Sequence, residues 1–163
     1  MIVSVPELKV CWNLADATIQ RDALKFWREQ NLLPDIADAA KRLRQICVVA
    51  YDGTRIVGTV EARLTRLEIV RARFAMMTLA VAPERRLENL PGELIQRAQR
   101  VLEQWSLEHP NERLMGVGTI VRIRDIDERA RLPVWEPTNL TLVGYTVRGA
   151  QIRLAWFKHA KLS

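Results

Sequence analysis

The stretch TLAVAPERRLENLPGEL, residues 78–94, decides the fold. It joins an apolar, strand-like run that ends at Val81 to a helix that begins near Pro91, and it places Arg85 and Arg86 in the connection. A strand-to-helix turn leaves backbone N–H groups free at the helix N-terminus, where the helix dipole favours an anion such as a phosphate. The stretch is therefore either a phosphate-binding turn or an ordinary loop.

The helix after this stretch is predicted over residues 91–108. Pro91 suits its first turn, where the missing N–H costs little, and Pro110 lies just beyond its end. Its apolar residues share one face, which must lie on a sheet: Leu94, Ile95, Ala98, Val101, Leu102 and Trp105. Because the helix connects two strands of the same sheet, those two strands should be parallel.

Upstream of the stretch, local signals predict further strands and helices. Residues 8–13 form a first strand, and Asp16 caps a helix that runs to about Gln30. Asp35 caps a second helix. Two β-branched runs then flank Asp52-Gly53, a dipeptide typical of a tight hairpin turn, and a third strand over 71–81 completes a meander.

Downstream, three strands over residues 113–121, 140–147 and 151–158 complete the chain, with a short polar helix over 124–131. The order β, α, α, β, β, β, α, β, α, β, β predicts an α+β fold. We expect a mixed, mostly antiparallel sheet of about seven strands flanked by helices. The 163 residues show no repeat or linker, so the chain is interpreted as one domain, 1–163.

Composition narrows the class of protein. The net charge of +6 favours phosphate-bearing partners, nucleic acid included, but the basic residues are scattered and no nucleic-acid motif stands out. No apolar run is long enough to cross a membrane and no secretory signal is visible, so cytoplasmic residence is expected. Cys11 and Cys47 suit buried thiols, and His109 and His159 lack partners at ligand spacing, so no metal site is predicted.

At residues 78–95 the sequence resembles the GNAT superfamily of acetyl-CoA-dependent N-acyltransferases. In that family a strand ending in Val-x-Pro leads to Arg/Gln-x-x-Gly-x-Gly/Ala, whose amides bind the pyrophosphate of coenzyme A. Here Val81 and Pro83 match, Arg86 takes the first motif position, and the late Gly144-Tyr145 resembles the family's Gly-Phe. The resemblance implies that the cofactor contacts are Leu79, Val81, Arg86, Leu87, Asn89 and Gly92.

The chain departs from the family pattern at three positions of the loop. Asn89 and Pro91 replace the two small residues, and Glu88 adds a carboxylate. Asparagine tolerates the left-handed conformation, whereas proline removes one N–H that would otherwise point at the phosphate. A negative charge near a pyrophosphate is unfavourable unless it points away.

The sequence assigns no catalytic residue. The tyrosine that many family members use as a general acid has no counterpart, because neither Tyr51 nor Tyr145 fits its position and Trp135 and Asn139 occupy that region. Two carboxylates, Glu61 and Glu68, are candidates for a general base. The alternating run TVEARL, however, predicts a solvent-facing Glu61.

Two functions follow from the resemblance. The first is transfer of an acetyl or other acyl group from acyl-CoA to an amine, carried by a small molecule or a protein. The alternative is a GNAT-like scaffold without catalytic activity that binds protein or nucleic acid. The final pair of strands suits either a homodimer contact or an acceptor site.

Overall fold

The computed structural model describes residues 4–33, 36–86, 88–122 and 128–161. Within those ranges the α-helices are α1 (Ala17–Glu29), α2 (Ile36–Leu43) and α3 (Leu90–Glu108). The strands are β1 (Glu7–Val10), β2 (Ile46–Asp52), β3 (Arg55–Leu67), β4 (Ala72–Val81), β5 (Leu114–Val121), β6 (Val134–Trp135), β7 (Leu140–Tyr145) and β8 (Gln151–Trp156). Short 3₁₀ turns cover Pro83–Arg85, Pro110–Glu112 and Glu128–Arg131.

The strands form one sheet in the order β1-β2-β3-β4-β5-β8-β7-β6. Strands β4 and β5, on either side of α3 in the chain, pair in parallel, and the pairs β1/β2, β2/β3, β5/β8, β7/β8 and β6/β7 are antiparallel. The predicted α+β class with a mixed, mostly antiparallel sheet is confirmed. The sheet has eight strands in the described residues rather than about seven, because the Pro-rich loop contributes the two-residue strand β6.

The chain groups into two compact units. The first comprises Met1–Ala62 with Leu79–Val101, and the second comprises Arg63–Thr78 with Leu102–Ser163. Each has its own buried apolar residues.

In the first unit, α1 packs through one face. The side chain of Asp16 accepts a hydrogen bond from the Ile19 N–H at 2.9 Å, which confirms the predicted N-cap. Ala23, Phe26 and Trp27 are buried along the apolar stripe. The Trp27 indole N–H donates to the Thr59 hydroxyl at 3.1 Å, so the polar edge of this buried ring is satisfied.

The hairpin of the first unit turns where the sequence predicts it. Asp52 pairs with Arg55 across the turn, and Gly53 has φ of 61°, a conformation that side chains with a Cβ rarely adopt. The strand before the turn, β2, is buried along nearly its whole length. Asp35, the predicted cap of the second helix, lies outside the described residues.

In the second unit, β5 and β8 lie very close together at two glycines. A Cβ at Gly116 would stand 2.1 Å from the Ala155 carbonyl oxygen, and one at Gly118 would stand 2.5 Å from Leu154. At Gly116 the clash is with backbone, so only glycine fits there, whereas at Gly118 the Leu154 side chain would have to move. Phe74, Met76 and Leu154 form the buried apolar cluster of this unit.

Candidate functional site

The last residues of β4 are accessible although β4 is an interior strand. Thr78 and Leu79 are both exposed, Leu79 to 37%, and Val81 is buried. The following residue, Ala82, donates its N–H to the Val57 carbonyl at 2.8 Å, which fixes the end of the strand. Because successive side chains of a strand point to opposite faces, neither face of the sheet is fully covered at this end of β4.

A 3₁₀ turn then presents Arg86 to solvent. The Arg85 N–H bonds to the Ala82 carbonyl at 2.9 Å, and the Arg86 N–H bonds to Pro83 at 3.4 Å. The Arg86 side chain is exposed, and its Nε donates to the Val81 carbonyl at 3.3 Å. This contact directs the side chain along the turn while its outer N–H groups stay accessible to an anion.

The first turn of α3 carries donors without an acceptor in the helix. The Glu93 N–H bonds to the Asn89 carbonyl at 3.0 Å, so Asn89 is the N-cap and Leu90 the first helical residue. Pro91 has no N–H, and therefore Leu90 and Gly92 supply the remaining donors of the turn. Pro91 lies in the first helical turn, as predicted.

The structure changes the interpretation of two loop residues. Asn89 does not have a positive φ, so its tolerance of the left-handed region is not used, and it stands at the N-cap position of α3. A Cβ at Gly92 would meet nothing within 4 Å, so the fold itself does not require glycine there. Leu87, a predicted cofactor contact, lies outside the described residues.

Arg85 has a role that the sequence did not reveal. Only 7% of the residue is exposed, and its guanidinium donates to the Asp52 carboxylate at 2.6 Å and to the Ser4 carbonyl at 3.0 Å. The same group lies 3.3 Å from the nearer carboxylate oxygen of Glu88. Glu88 is therefore paired with Arg85. No local signal could identify this cluster, because Asp52 and Ser4 are distant in sequence.

The candidate general bases have other partners. Glu61 is only 5% exposed, so the prediction of a solvent-facing carboxylate is wrong. Arg42 donates to both carboxylate oxygens of Glu61, at 2.7 and 2.9 Å. This pairing offsets the cost of burying the carboxylate. Glu68 is an exposed residue beside Arg66 at 3.4 Å. Neither arrangement is that of a base poised for an amine.

The second unit contains a different buried arginine. Arg153 is fully buried, and its N–H groups donate to the carbonyls of Ala130 (3.0 Å), Leu132 (2.7 Å) and Leu140 (3.3 Å). Its Nε donates to the Gln151 side chain at 3.0 Å. Burial lowers its pKa from the ordinary value.

Trp135, which lies where the family's acid is expected, belongs to the surroundings of Arg153. The guanidinium carbon of Arg153 lies 4.0 Å from the centre of the Trp135 ring, and the indole N–H donates to the Arg129 carbonyl at 2.6 Å. Both contacts hold the ring in place. They give Trp135 a structural role in this loop.

Comparison with known proteins identifies the fold. By sequence, no family profile and no curated protein matches the chain. Among solved structures, the GNAT domain of PAT from S. lividans aligns with a TM-score of 0.64 and 9% identity, over 93% of this chain and 90% of that one. A GNAT-family acetyltransferase from Streptococcus pneumoniae aligns at 0.60 with 12% identity, over 94% and 100%.

A third similar structure is that of Arabidopsis thaliana NAA60 in complex with acetyl-CoA, with a TM-score of 0.60 and 13% identity, over 94% of this chain and 99% of that one. At these identities the likeness establishes the fold. The protein has the GNAT fold, as the resemblance implied. None of the helices in the described ranges has the length and apolar character needed to cross a membrane.

Proposed function

We propose that the protein is an acyl-CoA-dependent N-acyltransferase that uses acetyl-CoA or another acyl-CoA and transfers the acyl group to an amine. One observation carries the proposal. An exposed strand end, an exposed Arg86 and the donor-bearing first turn of α3 follow one another within residues 78–92, inside a GNAT fold. The cofactor contacts we propose among the described residues are Leu79, Val81, Arg86, Asn89 and Gly92.

The residues present fit the pyrophosphate of coenzyme A. Pro91 removes one donor, but the N–H groups of Leu90 and Gly92 remain, and the positive end of the helix dipole adds to them. Arg86 supplies a guanidinium, which suits phosphate oxygens through paired N–H donors. The carboxylate of Glu88 is compensated by Arg85, so the charge added to the loop does not oppose a phosphate at full strength.

The proposed mechanism relies on positioning. Coenzyme A, when bound, supplies an acyl carbon activated as a thioester. Backbone groups of Leu79 and Val81 would hold the arm of the donor like an added strand, and the loop would hold its phosphates. An acceptor amine placed against the acyl carbon would form the C–N bond as the C–S bond breaks, and the proton lost by the amine nitrogen would neutralise the leaving thiolate, giving an amide and a free thiol. Orientation alone contributes much of such a rate enhancement.

The alternative function is a GNAT-fold scaffold that binds protein or nucleic acid without catalysis. Two observations favour it: Pro91 lacks a phosphate-facing donor, and Glu61 is fully engaged by Arg42. The net charge of +6 also suits a polyanion. The same binding experiment separates this function from acyl transfer.

The test is calorimetric titration of the purified protein with acetyl-CoA at low salt. We expect micromolar affinity for the wild type and roughly tenfold weaker binding for Arg86→Ala, since a charge-assisted contact to phosphate is lost. The matched control is Arg100→Ala, which removes the same charge from an exposed position of α3. Arg100 lies about 15 Å along the helix from its first residue, Leu90. The affinity of this variant should equal that of the wild type.

Two results would contradict the proposal. A folded wild-type protein that binds no acetyl-CoA has no working cofactor site, and the scaffold function would then be tested by salt-dependent binding to nucleic acid. Equal losses in the Arg86 and Arg100 variants would show a general charge effect rather than a site. Where binding is found, release of the coenzyme A thiol in the presence of a panel of amines tests catalysis.

A further inference from the structure

The Arg85 cluster joins three separate segments of the first unit. The guanidinium contacts the hairpin turn through Asp52, the N-terminal segment through the Ser4 carbonyl, and its own loop through Glu88. The Ser4 hydroxyl also donates to Asp52 at 2.6 Å. Because two of the three contacts lie outside the loop, Arg85 has a fixed position against which the loop is held.

The cluster is electrostatically matched. One guanidinium faces two carboxylates, each with a side chain 35% exposed, while the side chain of Arg85 is 9% exposed. The hydroxyl of Ser4 and the charge of Arg85 lower the pKa of Asp52 from its ordinary value. Burial alone would lower the pKa of Arg85, but its bonds to Glu88 and Asp52 outweigh burial and raise it. Asp52 and Arg85 are therefore both charged at neutral pH.

Glu88 occupies a sensitive position in this loop. It directly precedes the N-cap Asn89, so its carboxylate is close in sequence to the donors at Leu90 and Gly92. A carboxylate near a helix N-terminus is itself a favourable partner for those donors and for the helix dipole. Released from Arg85, Glu88 would compete with any anionic ligand for the first turn of α3.

We propose that Arg85 is a positioning residue that holds the Glu88 carboxylate away from the first turn of α3 and so keeps this turn open to the phosphates of the acyl donor. The inference rests on the proposed function. It gives the two adjacent arginines different roles. Arg86 contacts the anion, and Arg85 restrains a carboxylate that would otherwise occupy the place of the anion. It also accounts for a glutamate in a loop that would otherwise repel its ligand.

The test is a double-mutant cycle read by titration with coenzyme A. Arg85→Gln should weaken binding about tenfold, and the double variant Arg85→Gln, Glu88→Gln should recover most of that loss, because the competing charge is gone. Arg85→Lys, which keeps a charge beside Glu88 with poorer geometry, should bind with intermediate affinity. The loss in Arg85→Gln should also shrink at high salt, as expected of a charge effect.

Thermal unfolding identifies variants that fail to fold. If Arg85→Gln is one of them, the two single variants Arg85→Lys and Glu88→Gln test the inference. Glu88→Gln alone should bind at least as tightly as the wild type, whereas weaker binding would overturn the inference. Failure of the second substitution to restore binding in Arg85→Gln would also overturn it, and the proposed function would stand because the wild type still binds. A folded wild type that binds no coenzyme A would overturn both.

Discussion

Two arginines are buried in the part of the chain that the structure describes, and they are stabilised in opposite ways. Arg85, in the first unit, lies between the carboxylates of Asp52 and Glu88. Arg153, in the second unit, donates instead to backbone carbonyls and to the neutral side chain of Gln151. The first arrangement depends on the charge of its neighbours, and the second depends on the geometry of a loop.

Because of this difference, we expect the two arginines to respond differently to pH, salt and substitution. A guanidinium paired with carboxylates responds to pH, to salt and to any substitution that alters charge. A guanidinium held by backbone carbonyls has partners that do not titrate, so its contribution to stability does not depend on pH. Removing the arginine leaves carbonyl acceptors without this donor. We therefore expect Arg153 to determine stability and Arg85 to determine binding.

The largest effect should come from Arg153→Met. The substitution keeps much of the side-chain volume but removes the guanidinium donors of the Leu132 and Leu140 carbonyls, while the Ala130 carbonyl keeps its bond from the Gln151 side-chain amide at 2.9 Å. We expect the free energy of unfolding to fall by about 4 kcal/mol. The loss, measured by denaturant titration, should be the same at every pH at which the protein is folded.

Arg148→Met is the control for that experiment. Arg148 is exposed in the turn between β7 and β8, so the same substitution there should change stability by less than about 0.5 kcal/mol. If Arg153→Met proved equally mild, the carbonyl groups would have found water as a substitute, and the contrast between the two buried arginines would disappear.

A third arginine sharpens the comparison, because Arg42 pairs with the single carboxylate of Glu61 through two hydrogen bonds. Glu61→Gln should lower the free energy of unfolding by about 2 kcal/mol, since Arg42 is left partly buried without its counter-charge. Glu68→Gln, at an exposed pair, should cost less than about 1 kcal/mol.

Glu61→Gln also tests whether Glu61 acts as a general base. The rate of acyl transfer per folded molecule should be unchanged in Glu61→Gln, because Arg42 already occupies both carboxylate oxygens. A rate that collapsed while stability held would make Glu61 the general base.

The smallest effect should come from Asp52→Asn, as a change in how the free energy of unfolding depends on pH. The folded pKa of Asp52 lies below its ordinary value of 3.8, so its stabilising contribution is complete above that value and is lost as the pH falls through the folded pKa. Stability of the wild type should fall more steeply in acid than that of the variant. Curves of equal slope would show that the Arg85 cluster adds no acid sensitivity.

Much of the fold was predictable because its signals are local. The cap at Asp16, the turn at Gly53 and the helix start around Pro91 each depend on a few neighbouring residues, and all three are confirmed. The parallel pairing of β4 and β5 follows from the helix between them. Strand β6 was not predicted, since two residues in a Pro-rich loop give no periodic pattern.

The failures concern contacts between residues that are distant in sequence. Alternation along TVEARL predicted an exposed Glu61, but Arg42, 19 residues earlier, makes its burial possible. Arg85 and Arg86 are adjacent residues of the same type, but Arg85 is buried against Asp52 and the Ser4 carbonyl, whereas Arg86 is exposed. Sequence spacing predicted a candidate loop, whereas the partners of these two arginines depend on tertiary structure. The proposed cofactor contacts stay a prediction.

The long sequence separation of the Arg85 contacts leads us to expect that they form late in folding. The bond from Arg85 to the Ser4 carbonyl joins residues 81 positions apart, and the bond to Asp52 spans 33. Contacts of such separation close large loops of chain and are slow to form, whereas the hairpin turn at Gly53 is local. During refolding, the β2–β3 hairpin should therefore become protected from hydrogen exchange early, and the segment around Arg85 should be among the last to do so.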